Sequence, residues 1–339
     1  MAYNNTTDSF DDVKLKQNTT ESVLDDIRLI HNILGTSFSI LGFFTNFVTL
    51  IAIMRYRLYR NKFILFIINL IIINCLSSGF SLAYITYQSF TVFSSAEQNT
   101  KVCRITGYIT YALLGTEVIA IIQISFNRYF RIVHLDKYMT IYSSRKKIIT
   151  MVITSWLVYF ILMIFPCTEL WGKLLYDSKR FICQPFLAKD SFTKFFLVFS
   201  ISISAPPLSF CYFSIIHKII STRRHVMTKR DTTRQNDKQH GHKPLTKMPL
   251  TIIAILTAFV VLYIPIFIVE AIDPSGQRFD PKVQVVAAYL VWLHLICHPI
   301  IYAALNKEIQ KALKKMFRCV GRCEQGLTNT NNIISNTGV

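Results

Sequence analysis

The stretch FILFIINLIIIN, from Phe63 to Asn74, holds no charge and only two polar side chains, Asn69 and Asn74. An apolar run of this kind suits either a buried core or a lipid bilayer, and its length decides between them. About 20 predominantly apolar residues are needed to cross the hydrocarbon as a helix, where every backbone group must be satisfied internally. The run sits in an apolar window over 63–88, and six more windows qualify: 30–54, 104–130, 147–166, 192–217, 248–272 and 283–304. TIIAILTAFVVLYIPIFIV, Thr251 to Val269, is as plain as the first. Pro206, Pro207 and Pro265 fall inside spans, where membrane helices tolerate them as kinks. The expected fold is an all-α membrane protein, a seven-transmembrane helix bundle.

Composition agrees. The 339 residues are 52% hydrophobic and 17% charged, yet carry a net charge of +18. Disorder is excluded by the hydrophobic content, and a nucleic-acid partner is not expected of a chain with seven such runs. With the spans placed, the N-terminal tail and the loops around 89–103, 167–191 and 273–282 hold 12 basic and 13 acidic residues. The other loops and the tail after 305 hold 25 basic and 5 acidic residues, a net of +20. The last acid, Glu117, lies within the third span. The bias orients the N-terminus outside and the C-terminus in the cytosol, as expected of a multi-pass protein of the plasma membrane. Asn4, Asn5 and Asn18 each begin an N-x-[ST] triplet in the outer tail, 1–29, and are candidate glycosylation sites. No basic, apolar-cored signal peptide is evident at the N-terminus, so the first span is expected to act as signal anchor.

Among the eight cysteines, Cys103 and Cys183 both face the oxidising side, and a disulfide between them is expected, with Cys167 as a competing partner. Cys319 and Cys323 follow the basic amphipathic stretch NKEIQKALKKMFRC, which ends at Cys319, and are candidates for palmitoylation. The division is therefore a tail, 1–29, a membrane domain, 30–305, and an amphipathic eighth helix with cytoplasmic tail, 306–339.

Several short motifs, in order, resemble those of rhodopsin-like (class A) G-protein-coupled receptors: GFFTN ending at Asn46, Asn127-Arg128-Tyr129 with Arg128 25 residues after Cys103, and Trp156. Phe259-x3-Tyr263-x-Pro265, His298-Pro299-Ile300-Ile301-Tyr302 and the stretch after Asn306 complete the series. The NRY triplet and the loop that follows are similar to those of the melatonin-receptor, trapped-in-endoderm and moody-like group, which points to an invertebrate receptor. The resemblance implies an extracellular ligand, a heterotrimeric G protein as partner, contact with arrestin and receptor kinases, and no enzymatic reaction. It implies activation-switch roles for Asn127, Arg128, Tyr129, Tyr263, Pro265 and Tyr302. Asn127 stands where an aspartate is usual, and the base of the sixth span offers Lys243 and Lys247 but no acid. The resting state is therefore expected to be weakly latched, unless packing or neutral hydrogen bonds supply the restraint.

Asn74 also replaces a usual aspartate, while Glu117 sits about three helical turns above Arg128. An intramembrane carboxylate marks function by default. Asn46, Asn74, Glu117 and His298 are read as a central polar site. Two states are open: an ionised Glu117 holding a sodium ion, or a protonated one bonded to Asn74 or His298, the form that burial favours. His294 and His298, at i and i+4, have the spacing of a zinc pair but lack an evident third ligand, so no metal site is assigned. Ligand-pocket candidates are Tyr108, Thr110, Tyr111, Tyr263, Phe267, Glu270, Tyr289 and His294, and Thr110 in place of an aspartate argues against monoamines. An aromatic, nearly uncharged pocket suits a lipid, an indole-like molecule or a small apolar ligand, though Glu270 leaves room for a basic peptide. The basic loop from Ser221 to Lys243 reads as contacting anionic lipid and a G protein, with Ser221, Thr222, Thr228, Thr232 and Thr233 as candidate kinase targets. A seven-span channel or transporter is the competing class. Internal repeats or several buried charges would mark a transporter, and neither is evident.

Overall fold

The computed structural model describes residues 7–90, 101–177, 182–185, 191–232, 247–273 and 278–318. Asn4, Asn5, Lys243, Cys319 and Cys323 lie outside them. Six helices are long and apolar enough to cross a membrane: Asp25–Arg55, Lys62–Tyr87, Lys101–Val133, Arg145–Cys167, Ser191–Thr222 and Pro281–Leu305. The sixth span in chain order is the helix Lys247–Ile272, which carries the apolar run quoted above. Together they form the expected seven-helix bundle.

Local chemistry sets the helix boundaries. Asn61 caps the second span, its side chain accepting from the Phe63 amide at 3.1 Å, and Ser144 caps the fourth by accepting from Lys147 N at 3.3 Å. Asp280 caps the seventh, with Pro281 in the first turn, where a missing N–H costs nothing. The second span widens into a π-helical turn over Ser77–Leu82. There Ser78 Oγ donates to Asn74 O at 2.6 Å, and Ser39 Oγ of the first span donates to Ser78 O at 2.8 Å. The seventh span has a one-residue turn at Leu293, between helices Pro281–Trp292 and His294–Leu305. The first span has no break at residue 30; its helix continues back to Thr7, so the expected tail boundary lies within a helix that also contains Asn18.

The third span is the axis of the bundle, with a buried face running from Cys103 to Tyr129. Buried polar bonds tie other pairs together: Trp156 Nε1 donates to Asn69 Oδ1 at 2.8 Å, joining the fourth span to the second. Asn46 Nδ2 donates to Gly42 O at 2.8 Å and to Leu295 O at 2.7 Å, locking the first span to the seventh. At the Arg128 end of the bundle, Lys62 donates to the carbonyls of Tyr142 and Ser143, and Arg145 donates to Arg60 O at 2.9 Å. Residues 307–318 form the expected amphipathic helix, with Ile309 and Ala312 buried and Phe317 exposed.

At the opposite end, strands β1 (Leu174–Asp177) and β2 (Ile182–Pro185) pair antiparallel, with Tyr176 opposite Cys183. Cys183 is disulfide-bonded to Cys103, their Cα atoms 5.5 Å apart, and Cys167 is a free thiol. The competition between the two partners is thus resolved. The bridge fixes β2 against the first turns of the third span, so close at Gly107 that a Cβ there would lie 2.8 Å from Cys183 O.

Candidate ligand cavity and polar centre

Beneath the hairpin the bundle encloses a cavity of about 210 Å³. Ile182, Gln184 and Pro185 of β2 roof it. The third span contributes Tyr111, Leu114, Gly115 and Val118, which share one face at helical spacing. Tyr159, Phe196, Leu197, Ile266, Phe267, Tyr289 and Trp292 complete a largely apolar wall. Its polar groups are few: His31, Thr193, Ser200, Gln184 and Glu270. Several are tied to neighbours: Tyr289 Oη donates to His31 O at 2.9 Å, Gln184 Nε2 donates to Asp177 Oδ2 at 2.8 Å, and Ser200 Oγ accepts from Tyr159 Oη at 3.3 Å.

Five of the expected pocket residues line this cavity: Tyr111, Tyr263, Phe267, Glu270 and Tyr289. Three do not. Tyr108 turns toward the fourth span, edge-on to Phe160 at 5.8 Å between ring centres. Thr110 is buried and does not line the cavity, which begins on the third span at the next residue, Tyr111. His294 is fully buried beneath the cavity and faces Glu117. His31, Gly115, Tyr159 and Trp292 were not anticipated. A glycine in mid-span was the available signal for close helix approach, and a histidine just inside an apolar window was another.

Tyr263 is the floor, and it joins the cavity to the polar centre. Its hydroxyl donates to Glu117 Oε2 at 3.2 Å. His294 Nε2 lies 2.8 Å from the same oxygen and His298 Nδ1 lies 3.5 Å from Glu117 Oε1, all three residues being fully buried. Of the two partners expected for a protonated acid, Asn74 or His298, only His298 approaches it; Asn74 Nδ2 lies 3.4 Å from His298 Nδ1 and 3.5 Å from Asn46 Oδ1. The π-helical turn and the Ser78 bond hold that part of the second span toward the first and seventh spans, leaving the acid to partners on the sixth and seventh.

Proton placement follows from the partners. His294 Nδ1 faces the Val291 carbonyl, which can only accept, so Nδ1 carries a hydrogen. A neutral His294 then presents a lone pair at Nε2 to Glu117. His298 Nδ1, facing the Asn74 amide donor, presents another. A lone pair facing a carboxylate is repulsive, and a proton shared between Glu117 and His294, on the acid or on the imidazole, relieves it across the 2.8 Å that separates them. Both placements leave the pair with no net charge, which suits a fully buried site. The acid's immediate partners are two imidazoles and a phenol, not the oxygens that a sodium ion takes, so the arrangement does not fit a resident sodium. Among the described residues, no group of three or more His, Cys, Asp or Glu side chains is arranged to hold a metal ion.

Below the polar centre, His298 neighbours Tyr302, their ring centres 6.4 Å apart. Tyr302 is fully buried and its hydroxyl has no hydrogen-bond partner. Pro265 lies within the sixth span two residues beyond Tyr263. At the base of the third span Asn127 and Arg128 are buried, and both amide atoms of Asn127 lack a partner. Tyr129 packs against Phe210 of the fifth span at 5.1 Å.

Seven spans, a disulfide-anchored hairpin over an apolar cavity and an arginine buried at the far end define a class. Residues 45–302 match the family model of the 7 transmembrane receptor (rhodopsin family), and the chain belongs to that family. It is similar to the protein trapped in endoderm-1 of Drosophila melanogaster, 25% identical over 299 residues that cover 83% of this chain and 75% of that protein. The G-protein coupled receptor moody of the same species is also 25% identical over 83% of the chain, which spans 50% of its length. Squid rhodopsin shares the fold, with a TM-score of 0.69 at 21% identity over 88% of this chain and 87% of that one.

Proposed function

We propose that the protein is a receptor of the plasma membrane, its hairpin end and N-terminus outside, that binds a small apolar ligand and activates a heterotrimeric G protein in the cytosol. The observation that carries this reading is the Tyr263–Glu117 bond, which places the floor of the cavity in direct contact with the buried polar centre. A ligand that displaces Tyr263 removes a donor from Glu117 and shifts the balance between two packings of the bundle, as differential binding to two states requires. The cavity is smaller than the 300–1,000 Å³ typical of sites for drug-sized molecules. Its walls are aromatic and aliphatic, which supports an indole-like molecule, a short lipid or another small apolar ligand over a peptide. Glycosylation at Asn4, Asn5 and Asn18, palmitoylation at Cys319 and Cys323, phosphorylation of the basic loop by receptor kinases and subsequent arrestin binding belong to the same reading. The channel or transporter alternative has no observation in its favour.

The test is ligand-free signalling through a panel of G-protein reporters in a heterologous cell, at matched surface level, with Arg128→Ala as the paired variant. The wild type is expected to raise at least one reporter above the level of untransfected cells, and Arg128→Ala to return it there. Ionic currents without any G-protein response would overturn the reading.

Asn127→Asp is expected to lower ligand-free signalling several-fold. The new carboxylate would sit beside the buried Arg128 and supply an ion pair that the neutral, partnerless Asn127 amide does not. Unchanged or higher basal output at matched surface level counts against it.

A further inference from the structure

Arg128 has an unusual resting place. Its guanidinium carbon lies 3.3 Å from the centre of the Phe63 ring, a stacked cation–π contact. Both residues are buried, Arg128 at 4% and Phe63 at 3% exposure, so the contact is shielded from water. Arg128 Nε has no hydrogen-bond partner, and among the described residues no ion pair with Arg128 is formed. The ring is held by the backbone around it. The Phe63 amide donates to the Asn61 cap, and Asn61 Nδ2 in turn donates to Glu308 Oε2 at 3.2 Å. Lys62, next in sequence, is tied to the Tyr142 and Ser143 carbonyls. Phe63 is thus a fixed platform rather than a side chain that happens to lie near.

We propose that the Phe63 ring, at the base of the second span, is the latch that holds Arg128 in the resting state, in place of the carboxylates this chain lacks. A guanidinium stacks on an aromatic face with its apolar surface while its charge meets the negative quadrupole, and exclusion of water strengthens the attraction. Asn127 supplies no charge and Glu308 attracts Arg128 only from beyond ion-pair distance, so the ring is the group that holds Arg128 by direct contact, and signalling requires Arg128 to leave it. The strength of this contact then sets the basal activity of the receptor. The inference rests on the proposed coupling of Arg128 to a G protein.

The most specific test replaces Phe63 by mono-, di- and trifluorophenylalanine, which withdraw charge from the ring face in steps while nearly keeping its shape. Ligand-free signalling per surface receptor is expected to rise at each step. Phe63→Leu, which removes the ring altogether, is expected to raise it about tenfold, and Phe63→Trp to keep it low. The gradient should vanish in the Asn127→Asp background, where a carboxylate takes over. A flat fluorination series, or equal basal output from Phe63→Leu and Phe63→Trp, would overturn the proposal. A second readout needs no G protein: thermal unfolding of the purified full-length receptor as wild type, Phe63→Leu, Arg128→Met and the double variant. The two losses should be less than additive, and strictly additive losses would also overturn the latch. Thermal coupling in a receptor that activates no G protein in any form would instead sink the coupling reading and leave the contact standing.

Discussion

Gly115→Ala removes most of the folded receptor, and with it the ligand response. Gly115 lies where the third span passes the fourth, and a Cβ there would fall on the ring of Tyr159. Tyr159 cannot easily yield. It is fully buried, its hydroxyl donates to Ser200 Oγ at 3.3 Å, and its ring is edge-on to Phe196 at 6.1 Å. Overpacking a well-filled core costs about 1–3 kcal/mol, and the overlap with a ring rather than a flexible chain end places this case at the upper end. Because Gly115, Tyr159 and Ser200 all line the cavity, any ring movement that relieves the clash also fills the ligand space. Surface expression and unfolding temperature should both fall, further with Gly115→Val. Tyr159→Leu in the Gly115→Ala background should recover surface level, because it removes the clashing ring. Wild-type expression and stability of Gly115→Ala would show that the two spans do not approach as described.

Glu117→Leu carries the second large effect. It leaves the Tyr263 hydroxyl and the two imidazoles buried without their common partner, and each stranded polar group costs about 1–3 kcal/mol. Where the shared proton rests on His294, removing the acid also breaks a buried ion pair, at a cost of about 3–5 kcal/mol. The expected outcome is near-complete loss of surface receptor. Glu117→Gln is the informative contrast. With its amide nitrogen in the place of Oε2, it can donate to the His294 lone pair as a protonated acid would, giving up only the bond accepted from Tyr263. If the shared proton rests on Glu117, Glu117→Gln folds nearly as well as wild type. If it rests on His294, the Gln variant loses an ion pair and its unfolding temperature drops toward that of the Leu variant. A Leu variant as stable as wild type would contradict the convergence of these side chains on the acid.

Much of the architecture was legible because bilayer thickness imposes a length on every span, and charged residues such as Lys62, Lys101 and Lys147 mark the ends. The second, third and seventh windows therefore agree with their helices to within about three residues. The first span escaped that rule. Thr7 to Asp26 is rich in polar residues, so hydropathy is silent there while the backbone stays helical. Glu117 was found as an exception to an apolar span, since an acid in hydrocarbon demands partners. Which partners it takes was not legible. That depends on the rotation of the sixth and seventh spans about their own axes, set by the turn at Leu293 and the packing around Pro265. A single sequence carries no signal for either. The same limit hides which side chains of the third span meet the cavity: Tyr111 lines it, whereas Tyr108 faces Phe160 of the fourth span and Thr110 is buried away from it. Phe63 carries no distinguishing signal for the opposite reason: it opens an uncharged, apolar run and looks like any other residue of a span.

The central claim, that this bundle transmits a state from its cavity to a G protein through Arg128, is tested most directly with purified components. Full-length receptor in lipid nanodiscs is mixed with purified heterotrimers of each G-protein class, and nucleotide exchange is followed without ligand. Wild type should accelerate exchange on at least one class, Phe63→Leu should accelerate it further, and Arg128→Ala should match empty nanodiscs. Exchange that is equally fast with Arg128→Ala, or absent for folded wild type and Phe63→Leu on every class, would contradict the account.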